Sequence, residues 1–249
     1  MGFLQLPSRA VEQTSLTRQN TINSRVSPWL SAIAYPLCNR LVIPTFFSQV
    51  TVTGQANVPL DGPVILAPTH RSRWDAILVP YATGKSVTGR DVRFLVTADE
   101  VKGLQGWFIR RLGGFPVNPR QPGIAGLRFS IELLQQGEML VIFPEGGIFR
   151  DKQVHPLKPG LARLALQAES SQPGLGLKIV PIHLEYSNPY PSWGAKVAIR
   201  IGQPLLASAY SQDTPKEGAR HLLADLTAAL KDLATVADKE PVLSVCTSS

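Results

Sequence analysis

Residues 64–75 read Val-Ile-Leu-Ala-Pro-Thr-His-Arg-Ser-Arg-Trp-Asp, and this stretch decides the fold class. Val64 to Ala67 form a continuous apolar run, without the polar alternation of a half-exposed strand. Such runs are typical of strands that are buried on both faces of a sheet. The polar residues after Pro68 end the strand, and a helix is predicted to begin close to Asp75. A buried strand that leads directly into a helix is the building unit of an α/β layered domain.

The same alternation of apolar runs and amphipathic stretches continues along the chain. Four more strands are predicted, at Phe94–Val96, Met139–Phe143, Lys178–Ile182 and Val197–Ile201. Leucines at helical spacing separate them, with Gly137 suited to the end of one helix and Pro159 to the first turn of another. We therefore predict an α/β fold: a single layered domain with a mixed, largely parallel sheet flanked by helices, preceded by a short membrane-facing helical segment.

Composition and charge narrow the function classes. The 249 residues are 44% hydrophobic and 17% charged, which excludes disorder of the whole chain. The net charge of +7 is concentrated, because residues 70–130 alone carry +6. Such a patch suits anionic lipid or a phosphorylated substrate, whereas nucleic acid is disfavoured because no DNA- or RNA-binding motif accompanies it. Cys38 and Cys246 are too few for a disulfide scaffold or a four-cysteine zinc site, which favours a reducing compartment.

An apolar segment, residues 28–49, precedes the first predicted strand. It is not a clean membrane span, which needs about 20 apolar residues, because Arg40 interrupts it and Pro36 and Pro44 would kink a helix. We predict two short helices lying in the membrane interface; two ordinary helices that cap the core are the alternative. The aromatic side chains suited to headgroup level are Trp29, Tyr35, Phe46 and Phe47.

The predicted organisation has four parts. They are a disordered tail at 1–27, the apolar helices at 28–49, one globular domain at 50–235 and a C-terminal tail at 236–249. The first 27 residues lack the apolar centre of a secretory signal; their serine, threonine and arginine leave a transit peptide as the alternative.

His70 and Asp75 are the first candidate pair for chemistry. On one continuous helix, residues five apart would point about 140° away from each other, so the two meet only if His70 lies in the turn before the helix. Asp75 would then accept the Nδ1 proton of His70 and leave Nε2 as a base, as in a hydrolase triad. The alternative is that His70 merely caps the helix and Asp75 lies in a solvated first turn.

Two further groups follow predicted strands. Glu145 stands in the Phe-Pro-Glu-Gly-Gly segment after Met139–Phe143, where glycines let a ligand approach the backbone. The segment that begins at Gly113 is predicted to form a short strand that leads into a turn ending at Arg120, which could hold a phosphate bidentately; an ordinary turn and a solvated arginine are the alternatives. Ligands of open α/β sheets bind beyond the carboxyl ends of strands, where all these groups fall. The other histidines, His155, His183 and His221, lack metal-ligand spacing and are interpreted as structural.

The motifs together resemble those of the glycerolipid acyltransferase family, the 1-acylglycerol-3-phosphate acyltransferases and their glycerol-3-phosphate relatives. His70 and Asp75 match the family's histidine, four residues and aspartate, and Phe143 to Gly146 match its Phe-Pro-Glu-Gly motif in the same order. The segment from Gly113 to Arg120 resembles the family's glycine-rich block, which ends in a phosphate-binding arginine. Val180 to Ile182 resembles its hydrophobic strand with a central proline.

The resemblance covers residues 50–205, and the sequence departs from the family pattern in two places. Thr69 stands where asparagine is common, and Gly147-Ile148 stand where Thr-Arg is common. Because groups beside the Glu145 loop would contact the acceptor's glycerol and phosphate, these differences leave the identity of the acceptor open.

The resemblance implies an enzyme that moves a fatty acyl group from acyl-CoA or acyl carrier protein to the hydroxyl of a lysophospholipid. The expected acceptor is 1-acylglycerol-3-phosphate and the product phosphatidic acid; glycerol-3-phosphate or another lysolipid is the alternative. A non-catalytic membrane-surface lipid-binding protein and a thioesterase-like hydrolase are the alternatives from other classes.

The resemblance also implies roles for particular residues. His70 is the catalytic base and Asp75 orients it; the implied substrate-binding residues are Glu145, Gly146, Arg120, Arg71 and Arg73. No metal and no cofactor is expected beyond the thioester co-substrate. The expected partners are the lysophospholipid, the thioester donor and a membrane surface, with peripheral or monotopic association at the cytoplasmic face.

Overall fold

The structure is a computed structural model, which describes residues 26–97, 103–117, 124–212 and 214–239. Eight α-helices lie in these ranges: α1 (Pro28–Leu37), α2 (Ile43–Phe46), α3 (Asp75–Thr83), α4 (Lys85–Thr88), α5 (Gly103–Arg111), α6 (Ile124–Gln135), α7 (Gly160–Ser171) and α8 (Pro215–Lys239). A π-helical turn, Cys38–Val42, joins α1 to α2, and 3₁₀ turns occupy Gln55–Asn57 and Ala207–Tyr210.

The strands of the described ranges form one sheet. They are β1 (Phe47–Thr53), β2 (Val64–Pro68), β3 (Val92–Thr97), β4 (Gly114–Val117), β5 (Met139–Val141), β6 (Lys178–Tyr186), β7 (Ala195–Ile201) and β8 (Leu205–Leu206). Their order across the sheet is β1-β7-β6-β2-β5-β3-β4, and β8 pairs with β6.

The sheet is mixed in the predicted way. Strands β6, β2, β5, β3 and β4 run parallel to one another. Strands β7 and β8 pair antiparallel to β6, and β1 pairs parallel to β7. All five strands predicted from apolar runs are present, with changed ends: β5 stops at Val141 and β6 continues to Tyr186. The predicted α/β fold, with a largely parallel sheet flanked by helices, is confirmed.

The core lies on both faces of the sheet, which explains the uninterrupted apolar run of β2. Val64 and Leu66 contribute to the cluster on the face of α3, and Ile65 and Ala67 to the cluster on the face of α6, α7 and α8. None of these four side chains is accessible to solvent. The apolar faces of the central strands therefore need helices on both sides.

The N-terminal segment differs from the prediction at its end. The helical stretch stops at Phe46, and residues 47–49 begin strand β1, so the predicted apolar helices are three residues too long. Phe47 was predicted at headgroup level, but it lies in the core at 3% exposure, against Trp74 and Tyr186. Tyr35 likewise lies close to the backbone of Gly84, and burial raises the pKa of its hydroxyl. Phe47 faces inward because it begins strand β1, which pairs with β7.

The structure can be compared with the predicted boundaries of the two tails. Ser27 is buried, and its N–H donates to the carbonyl of Arg111, so the described structure begins before the predicted boundary at 28. Helix α8 continues to Lys239, four residues past the predicted end at 235. The rest of both predicted tails lies outside the described residues. In the described ranges, no helix combines the length and the apolar character that crossing a bilayer requires.

Candidate active site

The candidate site lies at the carboxyl ends of two neighbouring parallel strands. His70 comes two residues after the end of β2, and Glu145 comes four residues after the end of β5, which pairs with β2. The His70 N–H donates to Oε2 of Glu145 across 2.8 Å. The two motifs are therefore brought together at the edge of the sheet where ligands of such folds bind.

His70 and Asp75 form a hydrogen-bonded pair with the predicted local geometry. Helix α3 begins at Asp75, so His70 lies in the turn before it, and Nδ1 of His70 is 2.9 Å from Oδ2 of Asp75. The same oxygen accepts the backbone N–H groups of Arg71 at 2.7 Å and Ser72 at 2.9 Å. With its proton directed to Asp75 through Nδ1, the neutral imidazole keeps the lone pair of Nε2 for a base.

A ring contact fixes the plane of the imidazole. Phe143 stacks on His70, with ring centroids 3.9 Å apart and an angle of 22° between the planes. Phe143 belongs to the Phe-Pro-Glu-Gly segment, so this motif supplies both a stacking ring and the carboxylate that holds the His70 backbone. The loop after β5 thus positions the predicted base.

Two residues for which no positioning role was predicted from the sequence, Tyr186 and Thr69, connect the His70–Asp75 dyad and its turn to strand β6. The Tyr186 hydroxyl, at the end of β6, donates to Oδ1 of Asp75 across 2.6 Å. Burial and the adjacent Asp75 charge raise the pKa of Tyr186 well above its usual value, so the group stays a neutral donor. Thr69 is buried, and its hydroxyl accepts the Leu184 N–H at 3.0 Å. Tyr186 is separated from Asp75 by 111 positions, so no local pattern could indicate it.

Arg71 and Glu145 form a buried ion pair. Nη1 of Arg71 lies 2.8 Å from Oε2 of Glu145, and Nη2 lies 3.1 Å from Oε1. Oε1 also accepts the His155 N–H at 3.0 Å, and Nη2 donates to the Gln153 carbonyl at 2.7 Å. This bidentate pair ties the loop after β5 to the His70 turn. The predicted contact of Arg71 and Glu145 with substrate stays a prediction, and the structure adds a positioning role.

The remaining predicted site residues lie around this pair. Gly146 has a φ of +73°, and a side chain there would approach Cγ of Lys158 to 3.0 Å, so the loop requires glycine. Arg73 is exposed in the turn before α3. Arg120 lies outside the described residues, although the strand that leads toward it, β4, is present. Their substrate contacts stay predictions.

A solvent-open cleft lies beside Arg71 and Tyr186, which both donate hydrogen bonds to Asp75. Its lining includes Arg71, Arg150, Lys152, Glu185 and Tyr186. Lys152 contacts Glu185 at 2.7 Å, and Arg200 contacts it at 3.1 Å. Burial alone would raise the pKa of Glu185, but the hydrogen bonds from these two cations outweigh it and hold the pKa below its usual value. Of the cations in and beside this cleft, Arg71 was predicted from the sequence, whereas Arg150, Lys152 and Arg200 were not.

Two of the histidines interpreted as structural have defined surroundings. Burial, Arg71 and Arg200 lower the pKa of His183, in β6, to about 4. His155 stacks on Phe149 at 3.9 Å, and its Nε2 lies 2.8 Å from Oδ2 of Asp151. Among the described residues, no group of three or more His, Cys, Asp or Glu side chains is arranged to hold a metal ion.

Comparison with known proteins agrees with this geometry. A family model described as Acyltransferase matches residues 49–185, more than half of the chain. The 1-acyl-sn-glycerol-3-phosphate acyltransferase of Bacillus subtilis is 25% identical over 205 residues, which are 80% of this chain and 94% of that protein. The enzyme of that name from Streptococcus pneumoniae is 25% identical over 149 residues, 57% of this chain and 49% of that protein.

A solved structure shares the fold. The crystal structure of the 1-acyl-sn-glycerophosphate acyltransferase of Thermotoga maritima matches with a TM-score of 0.61 and 23% identity, over 82% of this chain and 79% of that one. The matched family segment contains the His70–Asp75 pair and the Glu145 loop. By its family match and by these motifs, the chain belongs to the acyltransferase family and is an O-acyltransferase enzyme.

Proposed function

We propose that the protein transfers a fatty acyl group from acyl-CoA or acyl carrier protein to 1-acylglycerol-3-phosphate and so forms phosphatidic acid. The observation that carries the catalytic part is the His70–Asp75 hydrogen bond of 2.9 Å at the carboxyl edge of the sheet. The acceptor is supported by the names of the two bacterial relatives, both of them 1-acyl-sn-glycerol-3-phosphate acyltransferases. The excess positive charge of residues 70–130 suits a phosphorylated acceptor and an anionic donor.

The proposed reaction is direct transfer without a covalent enzyme intermediate. Nε2 of His70 takes the proton from the acceptor hydroxyl, whose oxygen attacks the carbonyl carbon of the thioester. The tetrahedral intermediate then releases the thiolate, which takes the proton back from His70. Asp75 holds the imidazole in the required tautomer and stabilises the imidazolium between these steps.

Membrane association is part of the proposal. Four large apolar side chains, Trp29, Ile33, Leu37 and Leu41, recur every four residues along the helical stretch and are each about half exposed, between 49% and 58%. Residues four apart lie on one helix face, so they form an apolar stripe. Such a stripe suits peripheral contact with a bilayer, which we propose occurs at the cytoplasmic face, where it would give the site access to lysolipid.

An acyl-transfer assay tests the function. Purified protein is incubated with labelled acyl-CoA or acyl carrier protein, with and without 1-acylglycerol-3-phosphate, glycerol-3-phosphate or another lysolipid. Labelled phosphatidic acid that forms only with 1-acylglycerol-3-phosphate is the expected product. Release of free fatty acid would indicate a hydrolase, and no reaction with any acceptor would indicate a lipid-binding protein; either result contradicts the proposal.

His70→Ala tests the base. Loss of a positioned general base typically lowers turnover by about 10²- to 10⁴-fold, and we expect a loss of this size with the fold retained. His221→Ala is the matched control, because His221 is an exposed histidine of α8. Near-normal turnover of His70→Ala, measured beside this control, would remove His70 from the mechanism.

A further inference from the structure

The loop between β6 and β7, residues 187–194, exposes large aromatic side chains to solvent. Its sequence is Ser-Asn-Pro-Tyr-Pro-Ser-Trp-Gly, with two aromatic residues, two prolines and no charge. Tyr190 is 73% exposed and Trp193 is 75% exposed, more than any other large hydrophobic side chain of the described residues. Two large rings exposed on one short loop differ from the single scattered hydrophobic residues of an ordinary surface.

The loop lies at the same sheet edge as the candidate dyad. It begins directly after Tyr186, whose hydroxyl is bonded to Asp75. Trp193 contacts Phe46 with ring centroids 5.8 Å apart, and Phe46 contacts Trp74 at 4.2 Å. Trp74 directly precedes Asp75, so a row of aromatic rings leads from the loop to the helix that carries the aspartate.

The loop is also held to the end of the N-terminal helical stretch. The Gly194 N–H donates to the Phe46 carbonyl at 2.8 Å, and the Ser48 hydroxyl donates to the Gly194 carbonyl at 2.6 Å. Gly194 has a φ of +80°, a conformation that favours glycine. With two prolines and these bonds, the loop presents its rings at a low entropic cost.

We infer that this loop is a second membrane contact, which inserts Tyr190 and Trp193 into the headgroup region of a lipid bilayer. This inference rests on the proposed function, since it concerns how the same site reaches a lipid substrate. Tyrosine and tryptophan prefer the boundary between headgroups and chains because their rings are apolar and each carries one polar group.

The charges around the loop favour a lipid surface with anionic headgroups. The Arg150 guanidinium lies 4.7 Å from the Tyr190 ring centroid, so one cation accompanies one of the inserted rings. Lys196 is exposed on β7, opposite Ser187 at the base of the loop, where the Ser187 N–H donates to the Lys196 carbonyl. Cations beside an uncharged aromatic tip suit peripheral binding to anionic membranes.

Sedimentation with vesicles of phosphatidylcholine and phosphatidylglycerol tests the contact without turnover. Two exposed rings carry enough apolar area that their joint replacement, Tyr190→Ser with Trp193→Ser, is expected to weaken vesicle binding by at least about tenfold. Leu60→Ser is the matched control, because Leu60 is 69% exposed but precedes the amino end of β2, away from the site. Circular dichroism checks that both variants are folded. Equal binding of the double variant and wild type would overturn the inference.

Fluorescence provides a second readout that keeps an aromatic ring in place. The experiment uses a variant with Trp29→Phe and Trp107→Phe. The emission of Trp193 is the part of the signal that is lost when Trp193→Phe is added. Vesicles with brominated acyl chains should quench this emission. Emission from Trp193 that brominated lipid leaves unquenched would overturn the inference. Ultracentrifugation tests whether the loop instead binds a second copy of the protein. Concentration-dependent dimerisation that the double variant abolishes and vesicles do not affect would also overturn the inference.

Activity separates this inference from the proposed function. For the double variant, the ratio of the rate on vesicle-bound lysolipid to the rate on a short-chain monomeric lysolipid should fall about tenfold, whereas Leu60→Ser leaves the ratio unchanged. Wild-type protein that binds vesicles through the loop but transfers no acyl group would refute the proposed function alone. An unchanged ratio in an active double variant would refute the membrane role of the loop alone.

Discussion

Tyr186→Phe removes one hydroxyl from the dyad and leaves the ring in place. In the structure this hydroxyl donates to Oδ1 of fully buried Asp75 across 2.6 Å, while His70 Nδ1 lies against Oδ2. A hydrogen bond to a charged group contributes about 1.5 to 3 kcal/mol. If most of this free energy stabilises the transition state, its loss should lower kcat by about 10- to 100-fold, with a smaller change in KM.

The pH profile distinguishes positioning from a general structural role. Without the Tyr186 donor, the Asp75 charge is less spread and stabilises the His70 imidazolium more strongly. A stabilised imidazolium requires a higher pH to lose its proton, so the acid limb of kcat/KM should move to higher pH. Rates are measured with short-chain lysolipid between pH 5 and 9.

Tyr210→Phe is the matched control for this experiment. The Tyr210 hydroxyl also donates to an aspartate, Asp225, at 2.7 Å, but this pair joins the 3₁₀ turn at Ala207–Tyr210 to helix α8 on the opposite face of the sheet from α3. Tyr210→Phe should change neither kcat nor the position of the acid limb in the pH profile of kcat/KM. The reasoning is refuted if Tyr186→Phe behaves like Tyr210→Phe in both measurements.

Three more predictions concern Glu145, His183 and Arg120. Glu145→Gln leaves the buried Arg71 guanidinium without its counter-charge, so the free energy of unfolding should fall by about 3 kcal/mol, measured by urea denaturation. His183 has a pKa of about 4 in the folded protein, against an ordinary value of 6.5. Between these two pH values the unfolded chain therefore binds more protons than the folded protein does. Its contribution to stability is therefore present above pH 6.5 and lost as the pH falls toward 4, and thermal melts of His183→Asn should show a shallower pH dependence. Arg120→Ala should raise the KM of the acceptor far more than that of the thioester, since a phosphate clamp acts on the acceptor; equal changes in steady-state kinetics would contradict it.

Sequence alone determined the features that depend on neighbours along the chain. The central strands were predictable because burial on both faces leaves a continuous apolar run, as in Val64 to Ala67. Helix ends were predictable where a residue has a special backbone preference: Gly137, with a φ of +77°, follows α6, and Pro159 precedes α7. The His70–Asp75 bond belongs to the same class, because five residues around one turn suffice to form it.

Tertiary structure decided the contacts between residues that are far apart in the chain. Strand β1 has an alternating, partly polar sequence, and only its pairing with β7, about 150 positions later, makes it part of the sheet and turns Phe47 inward. Tyr186 reaches Asp75 because β6 pairs with β2, and the Arg71–Glu145 ion pair forms because β5 pairs with β2 on its other side. The sequence indicates each side chain's chemistry, but the register of the parallel strands determines which of these groups meet.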